Sequence, residues 1–162
     1  MARTSPRGAR TGGQAPIALL DVNVLVALFD PDHVHHDLAH DWFTDEGARG
    51  WATCPLTENG FIRVISNPAY GLDGFRPDAV AAIFATFSKS KHHAFWSDDL
   101  SLANTSLFDL SQASGHRQLT DIYLLGLAVR LNGRLATFDR SIPYKAVTGA
   151  TPQSLQVIGP AD

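Results

Sequence analysis

The sequence lacks the features that mark secreted, membrane-spanning and nucleotide-dependent proteins. It contains one cysteine, Cys54, so no intramolecular disulfide can form, and we expect a reducing, cytoplasmic location. No apolar run approaches the roughly 20 residues of a transmembrane helix. No apolar segment follows the N-terminal arginines, so we do not expect a secretory signal peptide. The glycine-rich phosphate loops of nucleotide-cofactor enzymes are also absent.

Basic charge is scarce in the part of the chain that is expected to fold. Three of the 13 Lys and Arg residues lie in residues 1–10, which contain no acid, so residues 11–162 carry 10 basic and 16 acidic side chains, a net charge of -6. Domains that bind nucleic acid usually present a basic face. Either the target is not nucleic acid, or several acids are gathered at a site where a metal ion neutralises them.

The chain divides into a short polar extension and one domain. Residues 1–16 are rich in Gly, Arg, Ser and Pro, and we expect them to be disordered because they offer little to bury. Residues 17–162 are enough for one hydrophobic core and too few for two. We therefore expect a single folded domain over residues 17–162.

Short apolar segments alternate with amphipathic segments along this domain. Strands are predicted at residues 17–21, 51–54, 93–96, 134–139 and 154–158. Helices are predicted at residues 22–29, 34–46, 55–67, 77–87, 99–113 and 118–131, the first of them capped by Asn23. This alternation predicts an α/β fold, a three-layer α/β/α domain with a mainly parallel sheet of about five strands.

Four carboxylates are predicted at one edge of that sheet. Asp21 and Asp139 end two strands, and Glu58 and Asp121 lie near the start of two helices. In an open parallel sheet, ligands bind beyond the carboxyl ends of the strands, where helix N-termini also lie. Each acid alone has an ordinary explanation, a favourable helix dipole or a turn after a strand. The convergence of all four indicates a functional site.

A cluster of four carboxylates needs a counterion. Two carboxylates ~4 Å apart repel by roughly 4 kcal/mol at an effective dielectric constant of about 20. Oxygen ligands without accompanying Cys or His favour Mg²⁺, for which Mn²⁺ can substitute, and the matching chemistry is phosphodiester hydrolysis. His36 and His40 also have a spacing that could hold zinc, but the H-E-x-x-H pattern is absent and we expect surface positions for them.

Four segments that contain these acids resemble the motifs of PIN-domain ribonucleases, specifically the VapC toxins of bacterial type II toxin–antitoxin systems. They are LLDVNVLVALFD, TENGFIRVISNP, RQLTDIYLLGLA and LATFDRSI, and the resemblance covers nearly all of residues 17–158. It implies that Asp21 and Asp121 are the principal metal ligands. It further implies that Glu58 and Asp139 complete the acidic pocket, Asp139 as a third ligand.

The resemblance also implies the biology of the chain. It predicts a Mg²⁺-dependent endoribonuclease that forms a homodimer, acts on single-stranded or loop RNA and is blocked by a VapB-type antitoxin. Asn23 and Thr137 match polar positions beside the acidic pocket and are expected to support it. Cations that could guide the RNA backbone toward an acidic edge are Arg63, Arg117, Arg134, Arg140 and Lys145.

Two other functions stay open from the residues alone. A response-regulator receiver domain also places acids and Mg²⁺ at strand ends, but it needs a phosphoacceptor Asp and a late Lys for which this chain offers no convincing equivalents. A PIN module that binds RNA or protein without cleaving is the second alternative. The presence of all four acids argues against it.

Overall fold

The structure, a computed structural model, describes residues 16–72 and 74–160. The predicted N-terminal extension lies outside the described residues except for Pro16. The strands are β1 (Ala18–Leu20), β2 (Trp51–Thr53), β3 (His93–Phe95), β4 (Arg134–Thr137) and β5 (Leu155–Val157). The α-helices are α1 (Val22–Phe29), α2 (His36–Glu46), α3 (Pro55–Ile65), α4 (Pro77–Phe87) and α5 (Leu119–Arg130). Among these residues no helix is long and apolar enough to cross a membrane, since the longest, α5, has 12 residues.

The five strands form one sheet in the order β3-β2-β1-β4-β5, and every pair is parallel. The predicted parallel sheet of about five strands is therefore confirmed. Strand β1 lies at the centre, with Leu19 opposite Ala52 of β2 on one side and Leu135 of β4 on the other. Because all strands run the same way, their carboxyl ends meet at one edge.

The two faces of the sheet are covered by different helices. Successive strand residues point to opposite faces, and accordingly Leu20 packs in the hydrophobic cluster of α1 to α4 while Leu19 packs in the cluster of α5. Burial of one leucine side chain, such as Leu25 in α1 or Leu124 in α5, stabilises the fold by about 1.5–3 kcal/mol. The predicted three layers are confirmed.

The helix predicted at residues 99–113 is wrong. This segment is a series of turns with a single short 3-10 turn at Leu110–Gln112. Its polar side chains capture backbone N–H groups two residues ahead: Asn104 Oδ1 accepts from Ser106 N at 3.0 Å, and Asp109 Oδ1 accepts from Ser111 N at 3.1 Å. Such local bonds compete with the helical i to i−4 pattern, so apolar spacing alone misleads here.

The two histidines with zinc-like spacing stabilise the end of a helix instead. His36 Nδ1 lies 2.7 Å from the carbonyl oxygen of Ala27, and His40 Nε2 lies 2.9 Å from that of Leu28. Both carbonyls belong to the last turn of α1, where no further helical N–H is available to them. The rings thus have a structural role that the spacing did not reveal.

Candidate active site

The strand order creates a switch point beside the central strand. From β1 the chain proceeds outward through β2 to β3, and it then returns to place β4 on the other side of β1. The helices that follow such strands leave a crevice at the carboxyl edge, the usual ligand site of open α/β sheets. Asp21 follows β1 directly, and Asp139 comes two residues after β4, so both lie at this crevice.

Asp21 is a buried acid with a fixed orientation. Its side chain is 6% exposed, and its Oδ2 accepts a hydrogen bond from Thr137 Oγ1 at 2.9 Å. Burial raises the pKa of Asp21, and repulsion from Asp139 adds to this rise, whereas the bonds from Thr137 and the Val22 backbone lower it. A buried carboxylate is costly to keep ionised unless an opposite charge lies close to it.

Asp21 also occupies the N-cap position of α1, and Asn23, the predicted cap, does not. The Asp21 carboxylate makes no side-chain capping bond because it is turned toward Thr137. Asn23 lies within the first turn of α1 with an exposed side chain. The capping prediction was wrong because the helix begins at Val22, two residues before Val24, where a cap at Asn23 would place its first residue.

Thr137 and Ser141 hold Asp139. Thr137 is fully buried, and its Oγ1 accepts from the Asp139 backbone N at 3.1 Å while donating to Asp21. Asp139 Oδ1 in turn accepts from Ser141 N at 2.7 Å and Ser141 Oγ at 2.6 Å. Thr137 therefore links the carboxyl ends of β1 and β4 and fixes the backbone position of Asp139.

Asp121 completes a group of three coupled aspartates. It lies in the first turn of α5, and burial raises its pKa to about 7, with repulsion first from Asp21 and then from Asp139 adding to the rise. The interaction with both other carboxylates shows that α5 brings Asp121 to the same crevice. The structure thus unites Asp21, Asp121 and Asp139.

Glu58 has a different set of contacts. It lies in the first turn of α3, half-buried, and its Oε1 accepts from Thr53 Oγ1 at 2.9 Å. The same Thr53 oxygen lies 2.7 Å from His93 Nε2. Burial lowers the pKa of His93, and a backbone hydrogen bond at Ser88 opposes this effect. Glu58 is therefore held from β2 and β3, while the three aspartates are held from β1, β4 and α5.

The donor set of the crevice suits a hard cation, although it is not arranged as a finished metal site. Across residues 16–72 and 74–160, no group of three His, Cys, Asp or Glu side chains has the arrangement of a metal centre. Burial is the main cause of the raised pKa of Asp21 and Asp121, and the repulsion between carboxylates that adds to it would be relieved by a cation between them. Carboxylate oxygens are the ligands that hard divalent cations such as Mg²⁺ take in proteins.

Of the predicted cations, Arg117 and Arg140 lie near the crevice, and Arg134 lies at the opposite edge of the sheet. Arg117 is exposed in the 3-10 turn just before α5, and Arg140 is exposed beside Asp139, with Nη2 donating to the Pro160 carbonyl at 3.3 Å. Arg134, in contrast, begins β4 at the opposite edge of the sheet and pairs with Glu46 at 3.1 Å. Arg134 is thus not brought to the crevice, because β4 begins at Arg134 and reaches the crevice only at its other end.

The other two predicted cations lie on separate elements. Arg63 is exposed in the last turn of α3, beyond Glu58, and Lys145 is exposed in the 3-10 turn Tyr144–Ala146. Neither is placed against the three aspartates by a contact among the described residues.

Sequence reasoning missed three residues that shape the site: Thr53, His93 and Ser141. A signal for Ser141 existed, since Asp139 and Ser141 have the spacing of an Asx turn. The same spacing recurs at Asp109 and Ser111, with matching bonds of 3.1 and 2.6 Å. Local sequence could therefore predict the turn without showing which copy lies at the active edge.

Comparison with known proteins agrees with this geometry. The PIN domain family profile matches residues 18–147. Ribonuclease VapC44 of Mycobacterium tuberculosis is 46% identical over 144 residues, which cover 87% of this chain and 99% of that protein. Ribonuclease VapC39 of the same organism is 44% identical over 132 residues, covering 82% and 95%, and Ribonuclease VapC38 is 42% identical over 126 residues, covering 78% and 87%. The chain therefore belongs to the PIN-domain family and, within it, to the VapC group of toxin–antitoxin ribonucleases.

Proposed function

We propose that this protein is a Mg²⁺-dependent endoribonuclease that acts as the toxin of a type II toxin–antitoxin pair. The observation that carries the proposal is the position of Asp21, Asp121 and Asp139 at the carboxyl edge of the sheet, beside its switch point. The VapC relatives support ribonuclease activity. The receiver alternative is dropped because the chain belongs to a different family.

The three aspartates are assigned as the groups that hold the cation. Asp21 is the anchor, since Thr137 fixes its Oδ2 and burial limits its hydration. Asp121, whose pKa is about 7, would have to lose its proton to hold the cation at neutral pH. Asp139 would offer Oδ2, since Ser141 donates twice to Oδ1. When bound, the cation polarises a phosphate oxygen and lowers the pKa of water.

Glu58 is assigned a proton-accepting role beside these ligands. Its Oε1 is held by the Thr53 hydroxyl, which leaves Oε2 to accept a proton from the attacking water. Asn23 and Thr137 are supporting residues, Thr137 through its two bonds and Asn23 through its exposed position next to Val22. Arg117 and Arg140 flank the crevice and would contact the RNA backbone.

The partners follow from the same assignment. We propose an unpaired RNA segment as substrate, a VapB-type antitoxin as inhibitor, and the cytoplasm as the place of action. We also propose a homodimer, which would cover Phe95, 56% exposed on the edge strand β3. An exposed aromatic side chain on an open sheet edge favours association. Light scattering of the purified chain measures its oligomeric state.

An RNA cleavage assay with controlled metal tests the proposed function. Purified protein is incubated with RNA in Mg²⁺, in Mn²⁺ and in EDTA, and the products are separated on a denaturing gel. We expect cleavage with either cation and none in EDTA. Cleavage that persists in EDTA would remove the metal from the proposal, and intact RNA under every condition would favour the non-cleaving PIN module.

The pH dependence of stability tests the three-aspartate cluster without RNA. Asp121 ionises near 3.8 in the unfolded chain and near 7 in the fold, so the folded state holds the extra proton between these values. This contribution to stability is complete below the unfolded pKa and is lost as pH rises through the folded pKa. Asp21, whose pKa is also raised, acts in the same direction.

We therefore expect the melting temperature in EDTA to fall between about pH 5 and about pH 8, and Asp121→Asn to fall less steeply over this range. Saturating Mg²⁺ should raise the wild-type melting temperature at the upper end, because the cation replaces the proton. Thermal unfolding followed by circular dichroism measures both. Identical slopes for wild type and Asp121→Asn would contradict the coupling of these carboxylates.

A further inference from the structure

A part-buried hydrogen-bond chain connects strand β3 to the acidic residue of α3. Thr53, which is fully buried at the end of β2, donates to Glu58 at 2.9 Å and contacts His93 Nε2 at 2.7 Å. His93 lies opposite Trp51 in the β2–β3 register, two residues before Thr53, so its ring reaches along the strand to make this contact. No residue of β3 otherwise approaches the candidate acids through a contact among the described residues.

The protons of this chain can be counted. A threonine hydroxyl has one proton to donate, and the geometry gives it to Glu58 Oε1. The short contact between Thr53 Oγ1 and His93 Nε2 must then use a proton on Nε2. The Ser88 backbone bond, which raises the pKa of His93, also takes a ring proton. A neutral ring with its proton on Nδ1 alone would leave Nε2 to compete with Glu58 for the hydroxyl proton, so the proposal requires a proton on Nε2.

The imidazole has little freedom to leave this arrangement. Its centroid lies 4.4 Å from that of Trp51 and 6.4 Å from that of Phe84, which meets it edge-on at 86°. Aromatic packing on two sides fixes the ring plane, and the Thr53 contact fixes which nitrogen faces the carboxylate. The half-buried His93 of the edge strand β3 therefore has packing partners on two sides and a polar partner at Nε2.

We propose that His93 is a positioning residue of the ribonuclease site, which donates from Nε2 to Thr53 and so directs the Thr53 hydroxyl to hold Glu58. This inference rests on the proposed function, because it assigns a task to the Glu58 carboxylate. Thr53 alone has a hydroxyl that can rotate between several acceptors. When His93 donates to the Thr53 oxygen, the Thr53 hydroxyl proton is directed to Glu58 Oε1. This bond fixes the carboxylate and orients its other oxygen, Oε2, toward the substrate.

The first test compares variants at His93 that differ in the donor they keep. His93→Phe keeps the aromatic packing and removes the donor, whereas His93→Gln keeps an N–H that can reach Thr53. We expect Thr53→Val to lower kcat by roughly tenfold with little change in KM, because it removes the bond to the Glu58 carboxylate. His93→Phe should have a similar effect, because the Thr53 hydroxyl is then no longer directed to Glu58. His93→Gln and Thr53→Ser should retain most of the wild-type kcat.

Two further measurements separate positioning from a merely structural effect. In a Glu58→Ala background, measured as a single-turnover rate, His93→Phe should cause no additional loss. The ¹⁵N spectrum of the imidazole in the cation-free protein should show the proton of His93 on Nε2, and Thr53→Val should abolish this fixed tautomer. His92→Phe, one residue away, is the matched control and should behave as wild type.

Three kinetic outcomes and one spectroscopic outcome would contradict the proposal. Wild-type kcat in His93→Phe, an equal loss in His93→Phe and His93→Gln, or the same loss with and without Glu58 would overturn it. An Nε2 that carries no proton would also overturn it, even if no RNA were found to be cleaved. Failure of the proposed function appears separately, as wild-type protein that cleaves no RNA.

Discussion

Replacement of Asp21 or Asp121 by asparagine should abolish RNA cleavage without unfolding the protein. Both side chains keep their size, so the change removes one negative charge from a crevice where three carboxylates interact. Loss of residues that only orient metal ligands already costs about 10- to 100-fold in activity or affinity. We therefore expect more than about a 100-fold loss of kcat/KM from loss of a ligand itself.

Stability separates this effect from misfolding. In EDTA near neutral pH, Asp21→Asn and Asp121→Asn should melt at or above the wild-type temperature, because each removes repulsion in a partly buried cluster. Asp45→Asn, an exposed change on α2, is the matched control and should retain full cleavage. Cleavage by Asp121→Asn at the wild-type rate would remove Asp121 from the site.

Replacement of Gly126 by alanine should destabilise the whole domain. A Cβ atom at Gly126 would lie 2.4 and 2.5 Å from two ring carbons of Phe108, far inside van der Waals contact. The ring is 3% exposed and stacks on Tyr123 at a centroid distance of 6.3 Å, so it has little space to move. The backbone beside it is also fixed, since Asp109 N donates to the Ala146 carbonyl at 2.9 Å.

Two opposing effects decide the size of this change. Alanine is favoured over glycine within a helix by about 1 kcal/mol, whereas overpacking a core costs about 1–3 kcal/mol. Overpacking wins because the clash is with a buried aromatic ring. For a domain of this size we expect a melting temperature several degrees lower, at about 2–4 °C per kcal/mol.

Thermal unfolding of Gly126→Ala measures this effect against two controls. Gly115→Ala should leave the melting temperature unchanged, since a Cβ there meets nothing within 4 Å. Adding Phe108→Leu to Gly126→Ala should recover part of the loss, because the smaller side chain yields space. A melting temperature for Gly126→Ala equal to or above wild type would contradict the packing of the Phe108 segment on α5.

Much of the fold could be predicted because its signals are local. Strand β1 is short, apolar and followed by a polar residue, and α5 is an apolar segment too long for a strand, with Gly133 near its end. The segment 99–113 could not be predicted, because its Asn and Asp side chains bond to nearby backbone groups and override the apolar spacing. In that segment the polar side chains, through hydrogen bonds to nearby backbone N–H groups, determine the backbone conformation.

The acids of the candidate site could be predicted from the sequence, whereas the residues that hold Glu58 in place could not. Asp21, Asp121 and Asp139 could be found because strand ends and helix starts of a parallel sheet share one edge. The separate tether of Glu58 could not, because Thr53 and His93 are 40 residues apart and meet only through strand pairing. Arg134 shows the same limit, since its distance from the crevice depends on the direction of β4.

The most direct test is to locate the cation itself. Crystals of the protein soaked in Mn²⁺ and measured at the manganese absorption edge give an anomalous map in which only the metal stands out. We expect one or more peaks in contact with the carboxylates of Asp21 and Asp121, and their loss in Asp121→Asn crystals. A protein that cleaves RNA in Mn²⁺ but shows no peak at these carboxylates would contradict the proposed site.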